Sequence, residues 1–142
     1  MENQLITLFR QVTSKHRAVV QNYLDDYDLY IGQPRFLSTL KRNPGITQKE
    51  LVEILNVSKE SVSVTVKRLE AVGYIKRAVS ESDRREKHLF LSDKGEQLVL
   101  DFTEGFERID TVLFQSLSEL QREDLAVTFK IMLDDLEKEL ER

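Results

Sequence analysis

Residues 58–91 hold eight Lys and Arg side chains against five Asp and Glu. The stretch opens Ser58-Lys59-Glu60-Ser61-Val62-Ser63-Val64-Thr65-Val66-Lys67-Arg68-Leu69-Glu70-Ala71-Val72-Gly73-Tyr74. Small hydroxyl groups at Ser61 and Ser63 come first, Val64 follows, and the cations Lys67 and Arg68 lie further along. That order suits the groove of a duplex: cations meet phosphate or guanine edges, hydroxyls meet base edges, and a valine meets a thymine methyl. Upstream, Thr47, Gln48 and Lys49 stand where a helix begins, and the free N–H groups of a first turn can clamp a phosphate.

These side chains need elements to aim them. Ser58 is a suitable N-cap, because its hydroxyl can accept from a free backbone N–H of the first turn. Gly73 occupies the left-handed position after a helix C-terminus. Between them Val62, Val66 and Leu69 form one apolar stripe, which leaves the polar residues on the other face. Thr47-Gln48-Lys49-Glu50 reads as a capping box for a preceding short helix with Leu51, Ile54 and Leu55 on its buried face. Asn56-Val57 is the turn. The spacing is that of a helix-turn-helix. Residues 74–79 and 87–91 follow as two short strands around the charged tip Ser80-Glu81-Ser82-Asp83-Arg84-Arg85-Glu86. The plainer alternative is an ordinary amphipathic surface helix followed by a solvated charged turn.

Long helices flank this segment. Over residues 3–29, Leu5, Phe9, Val12, His16, Val20, Tyr23 and Tyr27 recur in steps of three and four, one apolar-aromatic stripe. Gly32-Gln33-Pro34 leads into a second helix with Phe36, Leu37 and Leu40 buried, and Asn43-Pro44-Gly45 stops it. Ser92 caps a fifth helix carrying Leu98, Phe102, Phe106, Ile109 and Leu113. Gly105 in it predicts a bend or a close packing contact. Ser118-Glu119-Leu120-Gln121 opens a sixth with Leu125, Phe129, Met132, Leu136 and Leu140 in register. The expected fold is mainly α with a small β-hairpin, with residues 33–91 as a winged helix-turn-helix and residues 1–31 and 92–142 as a helical dimerisation part.

Composition narrows the function classes. The chain has 142 residues, no cysteine and two histidines. Disulfides, Cys-based zinc sites and thiol redox switching are excluded, and a multi-histidine metal site cannot form within one chain. No cofactor is expected. No apolar run approaches the ~20 residues that span a bilayer, and no basic segment precedes an apolar run at Met1-Glu2-Asn3-Gln4. A cytoplasmic protein is the expectation. The net charge is −4, yet it is unevenly spread: residues 58–91 carry +3 and residues 92–142 carry −8. The basic excess falls in the proposed DNA-reading segment, and the acidic part is expected to face away from DNA.

The ordered set of motifs resembles the MarR family of winged helix-turn-helix transcriptional regulators. The matching residues are Gln48-Lys49-Glu50-Leu51, Val57-Ser58, Arg68-Leu69-Glu70, Gly73-Tyr74-Ile75, Asp83-Arg84-Arg85 and Leu89-Phe90-Leu91-Ser92-Asp93-Lys94-Gly95. The resemblance implies a homodimer built from the first, fifth and sixth helices. It implies that Arg85 reaches the minor groove, that Asp83 holds its guanidinium, and that Arg84 and Lys87 meet phosphate. Val64 departs from the family, which often places Arg or another polar residue there. Family effectors are often small phenolic or lipophilic anions, for which Phe9, His16, Tyr23, Tyr27, Tyr30, Arg35 and Phe36 are candidates. The plainer reading of the same aromatics is core or dimer interface.

The function expected is that of a sequence-specific regulator, a dimeric repressor on a pseudo-palindromic operator, released by an effector. The rival is a winged helix used as a protein-interaction module. An enzyme has no support: there is no nucleophile elbow, no glycine-rich phosphate loop and no metal constellation.

Overall fold

Capping and turn residues divide the chain into α1 (Glu2–Asp25), α2 (Gln33–Arg42), β1 (Ile46–Thr47), α3 (Gln48–Leu55), α4 (Lys59–Ala71), β2 (Ile75–Val79), β3 (Lys87–Leu91), α5 (Asp93–Phe114) and α6 (Glu119–Leu140). The computed structural model describes residues 1–79 and 87–142. The chain forms two compact units, Met1–Phe106 and Glu107–Arg142.

The first unit holds the core. Leu37, Leu40, Leu51, Val62, Val66, Leu69 and Leu89 are almost fully buried, so α2, α3, α4 and β3 close on one another. Leu24 and Leu29 enter from α1 and the connector after it, and Leu98 and Phe102 from α5. The stripe expected on α4, at Val62, Val66 and Leu69, is the buried one. On α3, Leu51 and Leu55 are buried but Ile54 is exposed.

The sheet is three-stranded, in the order β1-β3-β2, and antiparallel. Sequence predicted only the hairpin. β1 is two residues long, too short for any alternation to show, and it pairs Ile46 with Leu89 and Thr47 with His88. Along β2 only Ile75 is buried, and Val79, opposite Lys87, is exposed. Val79 and Lys87, where the described parts of β2 and β3 end, therefore lie away from the core.

Helix α1 stops four residues before the expected end. Leu24 O accepts from both Tyr27 N and Leu29 N, and Asp28 adopts a left-handed conformation at φ 57°. That reversal turns Leu29 into the core. The stripe on α1 is also less covered than a core stripe: Leu5, Phe9 and Val12 are exposed.

Helix α5 is continuous through Gly105. A Cβ there would lie 2.0 Å from Tyr23 Oη, so this glycine is a close-packing site rather than a bend. Tyr23, Tyr27, Phe102 and Phe106 pack edge-on or tilted, with ring centroids 5.4–6.5 Å apart.

In the second unit α6 opens on the expected capping box. Ser118 Oγ accepts from Gln121 N, and the Gln121 side chain accepts from Ser118 N. Ile109 is buried, whereas α6 has no buried residue.

Candidate nucleic-acid interface

The helix-turn-helix is set by two caps and a left-handed turn. Thr47 Oγ1 accepts from Glu50 N at 3.2 Å and donates to the Glu50 carboxylate at 3.1 Å. The carboxylate thus takes the cap's hydroxyl rather than its backbone N–H. Asn56 ends α3 at φ 52°, a conformation Asn tolerates better than most residues. Ser58 Oγ accepts from Ser61 N at 3.1 Å and starts α4. At the other end Gly73 is left-handed, as its position predicts.

With Val62, Val66 and Leu69 fixed inward, α4 presents Glu60, Val64, Lys67 and Ala71 outward, flanked by Ser61. Val64 is 67% exposed. Ser63 is half-buried at the edge of this face. Lys49, Lys59, Lys67, Lys76 and Lys87 are exposed and form no ion pair among the described residues. Lys59 and Lys76 were not singled out from sequence. For Lys76 the signal was present, since it alternates with the buried Ile75 on β2.

Two predicted DNA residues sit differently. Thr47 is only 8% exposed, with its hydroxyl engaged by Glu50, so it acts as a cap. Arg68 turns back into the protein. Its guanidinium lies over the Tyr30 ring at 4.0 Å, and Nη2 donates to Asp28 O at 3.1 Å. Gln48 is half-buried and Ser58 exposed. Asp83, Arg84 and Arg85 lie outside the described residues.

The C-terminal end of α4 is bound to the start of α5. Ser92 Oγ donates to Gly73 O and accepts from Gly95 N, and Ser92 N donates to Tyr74 O. Lys94 Nζ donates to Val72 O at 2.9 Å and lies over the Tyr74 ring. A cation there is favoured by the negative end of the helix dipole. Arg77 Nε donates to Glu70 at 2.7 Å and ties β2 to α4. Tyr74 Oη donates to Tyr27 O at 2.6 Å. Burial, and then the negative charge of Asp28, raise the Tyr74 pKa above its ordinary value, so the hydroxyl stays a donor.

The predicted effector residues separate. Tyr30, Arg35 and Phe36 line a cavity of about 280 Å3 whose other walls include Gln33, Leu55, Val57, Ser61, Val62 and Thr65. Tyr23 and Tyr27 belong to the aromatic cluster with Phe102 and Phe106. Phe9 is exposed on α1 and His16 is half-buried there. Thr65 was missed because nothing in sequence separates a hydroxyl beside a cavity from any other polar helix position.

A family model described as MarR family matches residues 27–86. The uncharacterized HTH-type transcriptional regulator YybA of Bacillus subtilis (strain 168) is 28% identical over 82% of this chain and 75% of its own. Among solved structures, a point mutant of S. aureus MepR superposes with a TM-score of 0.78 at 28% identity, over 92% of this chain and 96% of that one. The S. aureus MepR–DNA complex gives 0.74 at 28% identity, over 92% and 98%.

Proposed function

Because the chain belongs to the MarR family of winged helix-turn-helix transcriptional regulators, we propose that it acts as a homodimeric repressor on a pseudo-palindromic operator. Helix α4 enters the major groove and the β2–β3 hairpin reaches the adjacent minor groove. The observation that carries this reading is the outward face of α4. Lys67 and Val64 stand in solvent on a helix whose opposite side is fixed in the core. The similarity to MepR, a protein solved with DNA, supports duplex DNA as the ligand. Ser61, Val64 and Lys67 would meet the groove, and Lys49, Lys59, Lys76 and Lys87 the phosphates. Asp83, Arg84 and Arg85 are assigned to the wing from the family resemblance.

Release by an effector fits the cavity beside α4. Arg35 offers a cation, Tyr30 and Phe36 offer rings, and Ser61 and Thr65 of α4 form part of the wall. A small aromatic anion bound there would touch the recognition helix directly.

Duplex binding measured against salt tests the reading. Phosphate contacts make log affinity fall linearly with log salt, by about 0.9 per contact for B-DNA. Wild type should show that dependence on operator and on random duplex. Lys67→Ala should reduce the slope on both by about one contact if Lys67 meets phosphate. A purified protein that binds no duplex at low salt would leave the protein-interaction module as the better reading.

A further inference from the structure

We infer that Arg68 is a positioning residue of the recognition helix and makes no DNA contact: with Tyr30 and the Asp28 carbonyl it latches α4 to the α1–α2 connector. The inference rests on the operator-binding reading above. Arg68 is the cation nearest the C-terminal end of α4, where a phosphate-binding arginine would be sought. Yet its guanidinium is already committed. One face covers Tyr30 at 4.0 Å, Nη2 donates to Asp28 O at 3.1 Å, and Nε is buried without a hydrogen-bond partner. A desolvated Nε is costly, and a side chain aimed at phosphate would not bear that cost. The connector is shaped to receive it. Asp28 is left-handed, and the Gln21 side chain holds the next residues by accepting from Ile31 N and donating to Leu29 O. Tyr30 also lines the cavity whose far wall is Ser61, Val62 and Thr65 of α4. One tyrosine therefore borders the N-terminal half of the helix across the cavity and grips the C-terminal half through Arg68. The latch fixes how α4 is presented.

The test compares operator affinity against salt for Arg68→Ala, Arg68→Lys, Tyr30→Ala and Tyr30→Phe, alongside hydrogen exchange of the DNA-free proteins. A latch predicts that Arg68→Ala weakens operator binding by about tenfold, the order of a 1.4 kcal/mol change, with the salt slope unchanged. Arg68→Lys should not restore binding, because an ammonium lacks the planar face and the fork. Tyr30→Ala should match the Arg68→Ala loss, the double variant should be no worse than either, and Tyr30→Phe, which keeps the ring beneath the guanidinium, should lose less than Tyr30→Ala. Exchange in residues 26–32 and in the last turns of α4 should quicken in Arg68→Ala without DNA. Should Arg68→Ala not fold, Arg68→Lys and the two Tyr30 variants carry the same comparison. A slope lowered by about one contact, with lysine restoring it, would make Arg68 a phosphate ligand and overturn the inference. So would wild-type affinity in Tyr30→Ala. Failure of wild type to bind any duplex would instead remove the operator reading, while the exchange result would still report whether the latch exists.

Discussion

Glycine 95 shows how little room single side chains have around the recognition helix. A Cβ there would lie 2.1 Å from Tyr74 O, a backbone atom that also accepts from Ser92 N. The Leu-Ser-x-x-Gly run after the hairpin thus has a mechanical meaning: the serine hydroxyl bridges two chain segments, and the glycine lets them approach. Gly95→Ala should destabilise the fold by about 1–3 kcal/mol, as overpacking of a closed site does, and urea unfolding would read it. An unchanged midpoint would mean that the joint is looser than its distances. Arginine 68 teaches the opposite lesson about legibility. Its position on the polar face of α4 was readable, but not the direction of its long side chain. Tyr30 and Asp28 lie in a distant segment, and no periodicity links them to α4.

Among the elements, the caps carried most of the readable information. Thr47, Ser58, Ser92 and Ser118 each accept from a first-turn N–H of the helix they open. A short polar residue before an apolar stripe is a local signal, and it survives folding because its partners are only three residues away. The end of α1 and strand β1 were not readable for the converse reason. Asp28 turns the chain so that Leu29 can reach a core made elsewhere, and β1 exists only because β3 lies beside it. Ser58→Ala removes the cap of the recognition helix and should cost about 1 kcal/mol of stability, measured by thermal unfolding of the free protein. A loss below a few tenths would show that α3 and the core hold the first turn unaided.

For the whole molecule, the apolar surface left uncovered is the main fact. Leu5, Leu8, Phe9 and Val12 on α1 are exposed, and so are Phe129, Met132, Leu133 and Leu136 on α6. Large exposed apolar patches mark interaction sites, and in the proposed homodimer a second copy would cover them. Sedimentation should give twice the 16.6 kDa chain mass, and Met132→Glu combined with Leu136→Glu should return it to one chain. A wild type that sediments as a single chain at micromolar concentration would remove the homodimer and, with it, the palindrome. The charge contrast between residues 58–91 and 92–142 was legible from counting alone. That the terminal helices keep apolar faces open was legible too, but only as whole stripes: helical spacing does not say which residues of a stripe its own chain covers, as Leu24 is buried and Leu5 exposed on the same helix.

Val64, bare to water on the outward face of α4, also has a calorimetric consequence. Water around an apolar side chain raises the heat capacity of the free protein, and removing it on complex formation gives a negative ΔCp. If that valine is covered by a thymine methyl, the heat capacity of association should be more negative on an operator that supplies the methyl than on one carrying uracil at the same base. Lysine contacts to phosphate would be the same in both. The temperature dependence of the binding enthalpy would then mark, base by base, where this valine rests.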